Sequence, residues 1–431
     1  MTMEPPGRLL EHHAVLVRGG RIAGLLPAGR LAEVNAAEVV DRPEHVLMPG
    51  LVNAHTHAAM SLLRGAAAGL TLDAWLRRVV WPLESRLVDE QFVADGTELA
   101  IAEMLLGGVT CFADMYHYPD VAARVAAKAG MRAAIGMPVF EQPGSWAQDI
   151  DEYLARGLAL RDEYRDDPLI ETLFVLHSPE TTQDATLARV RTLADQLQAP
   201  VMTHLLESPS ERDRVRRRHG RGPLERLEGA GLINDLLVAV HCVQANLQEI
   251  QRLAEAGAAV VHCPGSNLKL AAGIAPVVKM RQAGIKVALG TDGAASNDSL
   301  DMLGEARLAA LLAAGTSGDP TALTAAAALE MATIGGARAL GLAERTGSMA
   351  EGKWADLACL RLDGPTTEPV HDVADTIVHA AGRAAVTDTW VAGRRLVADG
   401  RLARISAQDL SLRTRAWHSR VVAAVHSLAG Q

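Results

Sequence analysis

The 431-residue sequence predicts a (β/α)8 TIM-type barrel flanked by a small β-sandwich domain that the two ends of the chain form together. Two observations predict the barrel. Eight short apolar runs alternate with longer segments of helical periodicity, and the runs are continuously apolar, as strands buried on both faces are. Hairpin-like sequence at both ends predicts the flanking domain. An open doubly wound sheet is the alternative, but no Gly-x-Gly-x-x-Gly motif follows an early strand to favour its nucleotide-binding form.

The barrel is predicted over residues 48–349, with eight strands each followed by a helix. The strands are predicted at Val46–Ala54, Val109–Met115, Met131–Val139, Glu171–Ser178, Pro200–Leu206, Leu236–Val243, Ala258–Cys263 and Lys286–Thr291. Helical segments are predicted at Glu90–Leu106, Asp120–Ala129, Asp184–Gln198, Leu247–Ala256 and Pro276–Ala283. Several end in Ala-Gly, the stop expected after a helix C-terminus.

The small domain is predicted from residues 1–47 and 350–431, with a helix closing the chain. At the N-terminus, two apolar segments flank a Gly-Gly turn, which is typical of a hairpin. Strands are predicted at His13–Val17, Ile22–Leu26, Asp356–Arg361, Val386–Val391 and Leu396–Ala398, and the final helix at Ala407–Leu428. Strands from the two ends therefore have to pair with each other.

Composition and charge narrow the class of protein. Apolar residues make up 49% and charged residues 22%, as in an ordinary globular protein. A net charge of −9 provides no general basic face, so no nucleic-acid partner is expected. One basic run, Arg212–Arg221, is interpreted as a solvated helix or loop, with attraction of an anionic ligand as the alternative.

Cysteine usage and hydropathy predict the compartment. The four cysteines lie far apart and form no Cys-x-x-Cys pair, which fits a reduced compartment. No basic segment followed by an apolar run begins the chain, so no signal peptide is expected. No uncharged apolar stretch of about 18 residues occurs, so no membrane span is expected either. A cytoplasmic location is the prediction.

Ionisable residues cluster at the ends of six of the predicted barrel strands. They are His55 and His57 after the first strand, His177 at the fourth, His204 and Glu207 at the fifth, His241 at the sixth, His262 at the seventh and Asp292 at the eighth. The strand ends of a (β/α)8 barrel open onto one face, where active sites of this fold lie. We therefore expect these side chains to share one site.

Part of this set has the composition of a metal site. His55 and His57 are two residues apart on an extended segment, so their side chains point the same way. With His204 and Asp292 they leave one position for water, whose pKa the ion would lower towards about 7. One divalent ion per subunit is expected. Zinc is the expected ion, with Fe2+ and Mn2+ as alternatives.

The remaining strand-end residues are assigned other roles. Glu207, three residues after His204, is predicted to transfer protons, and His177 to contact the substrate. His241 is either a ligand or a contact of the hydroxide or the leaving group, whereas for His262 a purely structural role is equally expected. Neither a Gly-x-Ser-x-Gly nucleophile nor a Gly-x-x-x-x-Gly-Lys-Ser/Thr phosphate loop is present.

Together these motifs resemble the amidohydrolase superfamily. The resemblance is carried by Pro-Gly-Leu-Val-Asn-Ala-His-Thr-His at 49–57, the His and Glu of the fifth strand, the His of the sixth and Gly-Thr-Asp at 290–292. Further segments are similar to the 5-methylthioadenosine/S-adenosylhomocysteine deaminase branch: Trp75, Trp-Pro-Leu-Glu at 81–84, Val-His-Cys-Pro-Gly-Ser-Asn-Leu-Lys-Leu at 261–270 and residues 290–297. The resemblance covers nearly the whole chain.

The resemblance implies a mechanism of hydrolytic deamination. His55, His57, His204 and Asp292 would hold the metal. Hydroxide would attack the amino-bearing ring carbon while Asp292 accepts its proton. Glu207 would protonate the adjacent ring nitrogen, and His241 would lie beside the hydroxide. Two carboxylates given different tasks by different surroundings are consistent acid–base chemistry.

The resemblance also implies a small-molecule nucleoside substrate. Glu84 would accept hydrogen bonds from the ribose hydroxyls, and further substrate contacts would come from Trp75, His177, Glu207, Asp292 and Ser296. The products from 5′-methylthioadenosine or S-adenosylhomocysteine would be the inosine analogue and ammonia. The alternative is a deaminase or chlorohydrolase of guanine, cytosine, a pterin or a triazine. A non-catalytic scaffold would lack some metal ligands, yet all four are present. Homo-oligomerisation stays open.

Overall fold

The structure is a computed structural model and describes residues 1–66 and 68–429. Its strands form three sheets. The strands are β1 (His13–Arg18), β2 (Arg21–Pro27), β3 (His45–Pro49), β4 (Leu51–Thr56), β5 (Val109–Asp114), β6 (Arg132–Pro138), β7 (Ile170–Leu176), β8 (Val201–Leu205), β9 (Leu237–His241), β10 (Ala259–His262), β11 (Lys286–Leu289), β12 (Leu357–Arg361), β13 (Val386–Val391), β14 (Arg394–Ala398) and β15 (Arg401–Leu402).

Helices follow the barrel strands and close the chain, and none of those in the described ranges is both long and apolar enough to cross a membrane. They are α1 (Leu72–Trp75), α2 (Trp81–Leu87), α3 (Glu90–Leu106), α4 (Pro119–Ala129), α5 (Ile150–Glu163), α6 (Asp184–Leu197), α7 (Glu211–His219), α8 (Pro223–Gly229), α9 (Leu247–Glu255), α10 (Pro264–Lys269), α11 (Val277–Gln282), α12 (Ala294–Asn297), α13 (Met302–Ser317), α14 (Ala325–Met331), α15 (Ile334–Ala339), α16 (Val373–Asp375) and α17 (Ala407–Ala429). Shorter 3-10 or π turns lie at Ala28–Glu33, Ala58–Leu63, Leu76–Val80, Thr376–Ala381 and Arg383–Ala385.

Strands β4 to β11 form the predicted barrel. They lie in consecutive order in one sheet, and every paired neighbour is parallel. The sheet curls until its first and last strands are neighbours, and across this seam the backbone N–H of Asp292 donates to the carbonyl of His55 at 3.0 Å. The strands are buried along almost their whole length, as their continuous apolar sequence predicts. The (β/α)8 architecture is confirmed.

One predicted strand needs correction. Residues 46–54 read as a single strand, but they form β3, which joins an antiparallel sheet outside the barrel, and β4, which begins the barrel. Gly50 separates them. A Cβ at residue 50 would lie 2.1 Å from the Thr110 side chain, so the chain changes sheets where glycine alone fits. An apolar run shows that strands are buried, but not that they lie in two sheets.

The strands from the two ends of the chain form a domain beside the barrel, as predicted. β1 and β2 form an antiparallel hairpin, and the other sheet has the order β15-β14-β13-β12-β3, so an N-terminal strand pairs with C-terminal ones. Ile22 of the hairpin packs with Met349, Ala355 and Leu357 in a separate hydrophobic cluster. The predicted boundary between residues 47 and 48 falls within β3, and the exact domain limits stay a prediction.

Buried polar contacts join the added elements to the barrel. The guanidinium of Arg132, at the start of β6, donates to both carboxylate oxygens of Asp356 at 2.6 and 3.2 Å, just before β12. Helix α17 packs on α3, where the Trp417 indole N–H donates to Asp95 at 2.9 Å and its ring meets Phe92 edge-on. The C-terminal helix therefore packs against the outside of the barrel at α3.

Candidate metal centre and active site

The residues predicted to carry chemistry lie at the carboxyl ends of the barrel strands. There, a cavity of about 820 Å³ opens at the barrel mouth. Its lining includes His57, His177, His204, Glu207, His241 and Asp292. His55 lies directly beneath, fully buried. The structure therefore brings together the strand-end residues that sequence spacing predicts to share a site, with His262 as the exception.

Three histidines could hold a metal ion. The ligand atoms offered by His55, His57 and His204 all lie within 4.8 Å of one another. Nδ1 of His57 lies 2.5 Å from the Met115 carbonyl oxygen, and Nδ1 of His204 lies 2.8 Å from the His177 carbonyl oxygen. Because a carbonyl oxygen only accepts hydrogen bonds, these two Nδ1 atoms carry the hydrogen. In the neutral rings both Nε2 atoms therefore keep a lone pair for an ion.

The lone pairs converge on one carboxylate. Nε2 of His204 lies 3.2 Å from Nε2 of His55. Oδ1 of Asp292 lies 3.2 Å from Nε2 of His57 and 3.6 Å from Nε2 of His55. The lone pair of His57 Nε2 faces a carboxylate oxygen, and the two repel unless a cation lies between them. Imidazole nitrogen and carboxylate oxygen are suitable donors for a divalent transition metal, so the residues fit the predicted ion.

Asp292 is held by two serines on the side away from the histidines. Its Oδ2 accepts hydrogen bonds from the hydroxyl groups of Ser266 at 2.6 Å and Ser296 at 2.7 Å. Its Oδ1 accepts the backbone N–H of Gly293 at 2.7 Å. These bonds fix the carboxylate plane and leave Oδ1 facing the histidines, which is the role of supporting contacts around a metal ligand.

The backbone turns sharply at Asp292. The left-handed residue is Asp292 itself, with φ of 60°, whereas neither Gly290 nor Gly293 has positive φ. Gly290 instead permits close approach, because a Cβ there would lie 2.9 Å from the backbone nitrogen of His55. The glycine thus lets the end of β11 lie against β4 and brings the carboxylate to the histidines.

Glu207 and His241 face each other across the cavity wall. Oε1 of Glu207 lies 3.6 Å from Nε2 of His241, whose Nδ1 lies 2.8 Å from Oδ1 of Asn267. Leu206, immediately before Glu207, has φ of 52°. The buried carboxylate of Glu211 accepts the backbone N–H groups of Leu206 at 3.0 Å and Glu207 at 2.7 Å. Helix α7 therefore holds the turn that directs Glu207 into the cavity.

The carboxyl groups of Glu207 and Asp292 have pKa values shifted in opposite directions. Burial raises the pKa of Glu207 above its ordinary value. Burial alone would also raise the pKa of Asp292, but the adjacent His55 and His57 side chains outweigh it and hold the pKa of Asp292 well below its usual range. Glu207 therefore tends to keep a proton that Asp292 gives up, and such a pair can divide acid and base roles.

Besides Glu207 and Asp292, three of the predicted substrate contacts line the cavity: Trp75 at the end of α1, Glu84 on α2 and His177 after β7. Ser296 is buried beneath the lining, and its hydroxyl is directed at Asp292 rather than into the cavity. His262 is also buried, and its Nδ1 has no hydrogen-bond partner among residues 1–66 and 68–429. The roles of all five stay predictions.

Four residues of the site were not singled out from the sequence. Ser266 and Asn267 lie within the quoted 261–270 segment, but nothing in a linear motif shows that they contact Asp292 and His241. Glu211, four residues after Glu207, resembles any acidic residue in the first turn of a helix. Tyr116 lines the cavity two residues after β5. These four residues are recognised only by their tertiary contacts, which the spacing of residues at the strand ends does not encode.

The basic run at 212–221 forms most of helix α7, as its interpretation as a solvated helix or loop allows. Arg212 pairs with Glu249, and Arg214 donates to Asp73 and to Glu180, each at 2.8 Å. Much of the positive charge is therefore compensated within the chain.

Comparison with known proteins agrees with this site. Residues 46–396 match the Amidohydrolase family. The chain is 43% identical to a 5-methylthioadenosine/S-adenosylhomocysteine deaminase of Teredinibacter turnerae, covering 98% of this chain and 96% of the relative. It is 36% identical to a 5′-deoxyadenosine deaminase of Methanosarcina acetivorans, covering 96% and 98%. A crystal structure described as an adenosine deaminase from Xanthomonas campestris with bound zinc superposes with a TM-score of 0.96 at 47% identity, covering 98% and 97%.

These matches confirm the resemblance that the motifs indicated, and with it the expected enzyme class, a hydrolytic deaminase. The matched family is metal-dependent, and the three histidines could hold its ion. The chain belongs to the amidohydrolase family.

Proposed function

We propose that this chain removes the amino group of an adenosine-type nucleoside by metal-dependent hydrolysis. The substrates would be 5′-methylthioadenosine or S-adenosylhomocysteine, and the products the inosine analogue and ammonia. One observation carries the proposal: the carboxyl groups of Glu207 and Asp292 line the same cavity as the three-histidine group, with Oδ1 of Asp292 3.2 Å from Nε2 of His57. The names of the relatives support the nucleoside class.

His55, His57, His204 and Asp292 would hold the ion, and we propose zinc. The set of three imidazole nitrogens and one carboxylate oxygen supports this choice, as does the zinc in the Xanthomonas campestris structure. Such an ion makes water a usable nucleophile near neutral pH. Metal analysis of protein purified without added metal tests this choice, and iron or manganese at about one ion per chain would replace zinc in the proposal.

The side chains divide the proton transfers. Asp292 accepts a proton from the attacking water, and the new C–O bond forms at the amino-bearing ring carbon. Glu207 donates its proton to the adjacent ring nitrogen, so negative charge does not accumulate on the ring. Asp292 then passes its proton to the amino group, the C–N bond breaks and ammonia leaves, while the new hydroxyl group returns a proton to Glu207 and becomes the ring carbonyl. His241, 3.6 Å from Glu207, would steady the attacking oxygen.

The rest of the cavity would bind the nucleoside. Glu84 would accept hydrogen bonds from the ribose hydroxyls, and Trp75 and His177 would contact the nucleoside. Ser296 acts in this proposal through Asp292, because its hydroxyl donates to that carboxylate.

Absorbance spectroscopy tests the reaction directly. Zinc-loaded protein is mixed with 5′-methylthioadenosine, S-adenosylhomocysteine and 5′-deoxyadenosine in parallel. We expect the adenine band to shift to that of hypoxanthine with release of ammonia. Glu207→Gln should lower kcat by about 10²- to 10⁴-fold while metal content is unchanged. Glu228→Gln, at an exposed site on α8, is the matched control.

If none of the three nucleosides shows the absorbance change while one metal ion is bound per chain, the proposed substrate class is contradicted. Guanine, cytosine, pterins and triazines, including chlorinated triazines, would then be tested next. Such an outcome would leave the hydrolase chemistry of the site in place.

A cytoplasmic location also stays a prediction. It is supported by the four cysteines, all of which are buried and unpaired. Homo-oligomerisation is likewise untested, and size-exclusion chromatography with light scattering decides it.

A further inference from the structure

The cavity has one wall of aromatic rings, formed by Tyr116, His117, Phe140 and Tyr153, which we call the aromatic wall. It begins beside the metal centre, where the ring centroid of Tyr116 lies 6.3 Å from that of His57. Successive centroids along it are 5.2, 5.5 and 5.5 Å apart. The chain has only 14 Trp, Tyr and Phe residues, yet five of them line this cavity, so aromatic surface is concentrated here.

Three of the four rings of the wall, Tyr116, Phe140 and Tyr153, carry no charge at physiological pH. The hydroxyl groups of Tyr116 and Tyr153 are buried and have no hydrogen-bond partner among the described residues. Burial raises the pKa of Tyr153 to about 12, so this phenol is neutral at physiological pH. Glu141, next to Phe140, also lines the cavity and is acidic.

The arginine side chains that line the cavity lie on other elements than the aromatic wall. Arg214, on α7, is engaged by the carboxylates of Asp73 and Glu180. Arg77 and Arg218 also line the cavity, but both side chains are exposed, and no ion pair is found for either one in the described part of the chain. Any carboxylate on a ligand lying along the aromatic wall would therefore lose water without gaining a buried cation.

The position of Glu84 sets the direction of the nucleoside. Glu84 and Tyr116 both line the cavity, and the Glu84 carboxylate adds to the effect of burial in raising the pKa of Tyr116. With the amino-bearing carbon at the histidines and the ribose at Glu84, as the proposed function has it, the ribose lies at the first ring of the wall. The 5′ substituent then extends along His117 and Phe140.

We propose that the aromatic wall is a subsite for an uncharged thioether at the 5′ position, so that the chain selects 5′-methylthioadenosine over S-adenosylhomocysteine. A methylthio group offers a polarizable sulfur and a methyl group, which pack favourably against ring faces and edges. The amino-acid end of S-adenosylhomocysteine carries a carboxylate and an ammonium group, and the wall offers no buried partner for the carboxylate. Selection thus comes from both an attractive and an unfavourable contact.

Steady-state kinetics with zinc-loaded protein tests the selection. We expect kcat/KM for 5′-methylthioadenosine to exceed that for S-adenosylhomocysteine by at least about 100-fold. Equal values, or a preference for S-adenosylhomocysteine, would overturn the inference while leaving the proposed deamination intact. Failure to deaminate either nucleoside or 5′-deoxyadenosine would overturn the proposed function itself, and this inference with it.

Variants at Phe140 test whether the aromatic wall is responsible for the selection. Phe140→Ala should lower kcat/KM for 5′-methylthioadenosine about 10-fold, mainly through KM, and lower that for 5′-deoxyadenosine much less, because its 5′-methyl group is shorter. Phe140→Arg should raise kcat/KM for S-adenosylhomocysteine. Phe140→Leu, which keeps an apolar side chain, should restore most of the 5′-methylthioadenosine activity. If Phe140→Ala lowers kcat/KM equally for 5′-methylthioadenosine and 5′-deoxyadenosine, at unchanged metal content and Tm, the assignment is overturned.

Arg218→Ala tests whether this exposed arginine, rather than the aromatic wall, determines the selection between the two nucleosides. Because Arg218 is exposed, we expect the ratio of the two kcat/KM values to be unchanged. A selective loss of S-adenosylhomocysteine activity of 10-fold or more would show that Arg218 binds the carboxylate, and would overturn the inference.

Discussion

The carboxylate of Glu211 accepts the backbone N–H of Glu207 at 2.7 Å, so one buried acid holds another in position. The same carboxylate accepts the N–H of Leu206, a residue in the left-handed conformation. The strained turn and its support come from consecutive parts of the chain, β8 and α7. The proposed general acid, Glu207, is thereby held by a residue that does not itself line up with the metal ligands.

Glu211→Ala should lower kcat by about 10- to 100-fold with little change in KM or metal content, because Glu207 loses its orientation. Two buried N–H groups would lose their acceptor, which costs about 2–4 kcal/mol in the free energy of unfolding. Glu211→Gln keeps one acceptor oxygen and should recover much of kcat. Equal losses in kcat for the two variants, or a loss that follows metal content, would contradict a positioning role.

Ser266→Ala should lower kcat/KM by about 10-fold, because Asp292 loses one of the two hydroxyl donors to its Oδ2. Ser296→Ala should behave similarly, and the double variant should lose more than either single one. Activity is compared at equal metal occupancy, measured by metal analysis, to separate orientation from binding. Wild-type activity in the double variant would show that the carboxylate needs neither serine.

Removal of the metal should abolish deamination and lower Tm. The three histidines and Asp292 would then face one another without a cation, so the folded state loses both the binding free energy and the compensation of lone-pair repulsion. Dialysis against a chelator followed by zinc addition should restore both properties. His57→Ala should prevent the restoration, whereas His426→Ala, on the exposed face of α17, should not.

Asp388 should make the flanking domain sensitive to acid. Its burial alone would raise its pKa, but hydrogen bonds from Arg42 and Arg395, each at 2.9 Å, outweigh burial and lower the pKa strongly. Because the folded-state pKa lies below the unfolded one, of about 3.9, the stabilisation is present above about pH 4 and is lost as pH falls further.

Urea unfolding between about pH 7 and pH 3 measures this dependence. Asp388→Asn should lower the free energy of unfolding at pH 7 by about 2 kcal/mol and flatten its decline in acid. Asp151→Asn, whose carboxylate pairs with Arg189 at an exposed site, should change neither quantity measurably. An unaltered acid decline in Asp388→Asn would contradict this account.

The sequence by itself determined the barrel, the shared site and most of its chemistry. Continuous apolar runs reflect burial on both strand faces, a local consequence of a parallel sheet. In such a sheet every strand end opens on one face, so His57, His204 and Asp292 could be assigned to one site from their positions alone.

Only the tertiary structure decided the contacts between segments distant in the chain. The support of Asp292 by Ser266, the support of Glu207 by Glu211 and the aromatic wall that begins at Tyr116 all depend on side-chain directions and distances that periodicity does not encode. The same holds for Gly50, where the lack of room beside Thr110 separates two sheets within one apolar run. Burial is determined by local composition, whereas the pairing of polar groups depends on how the folded chain brings them together.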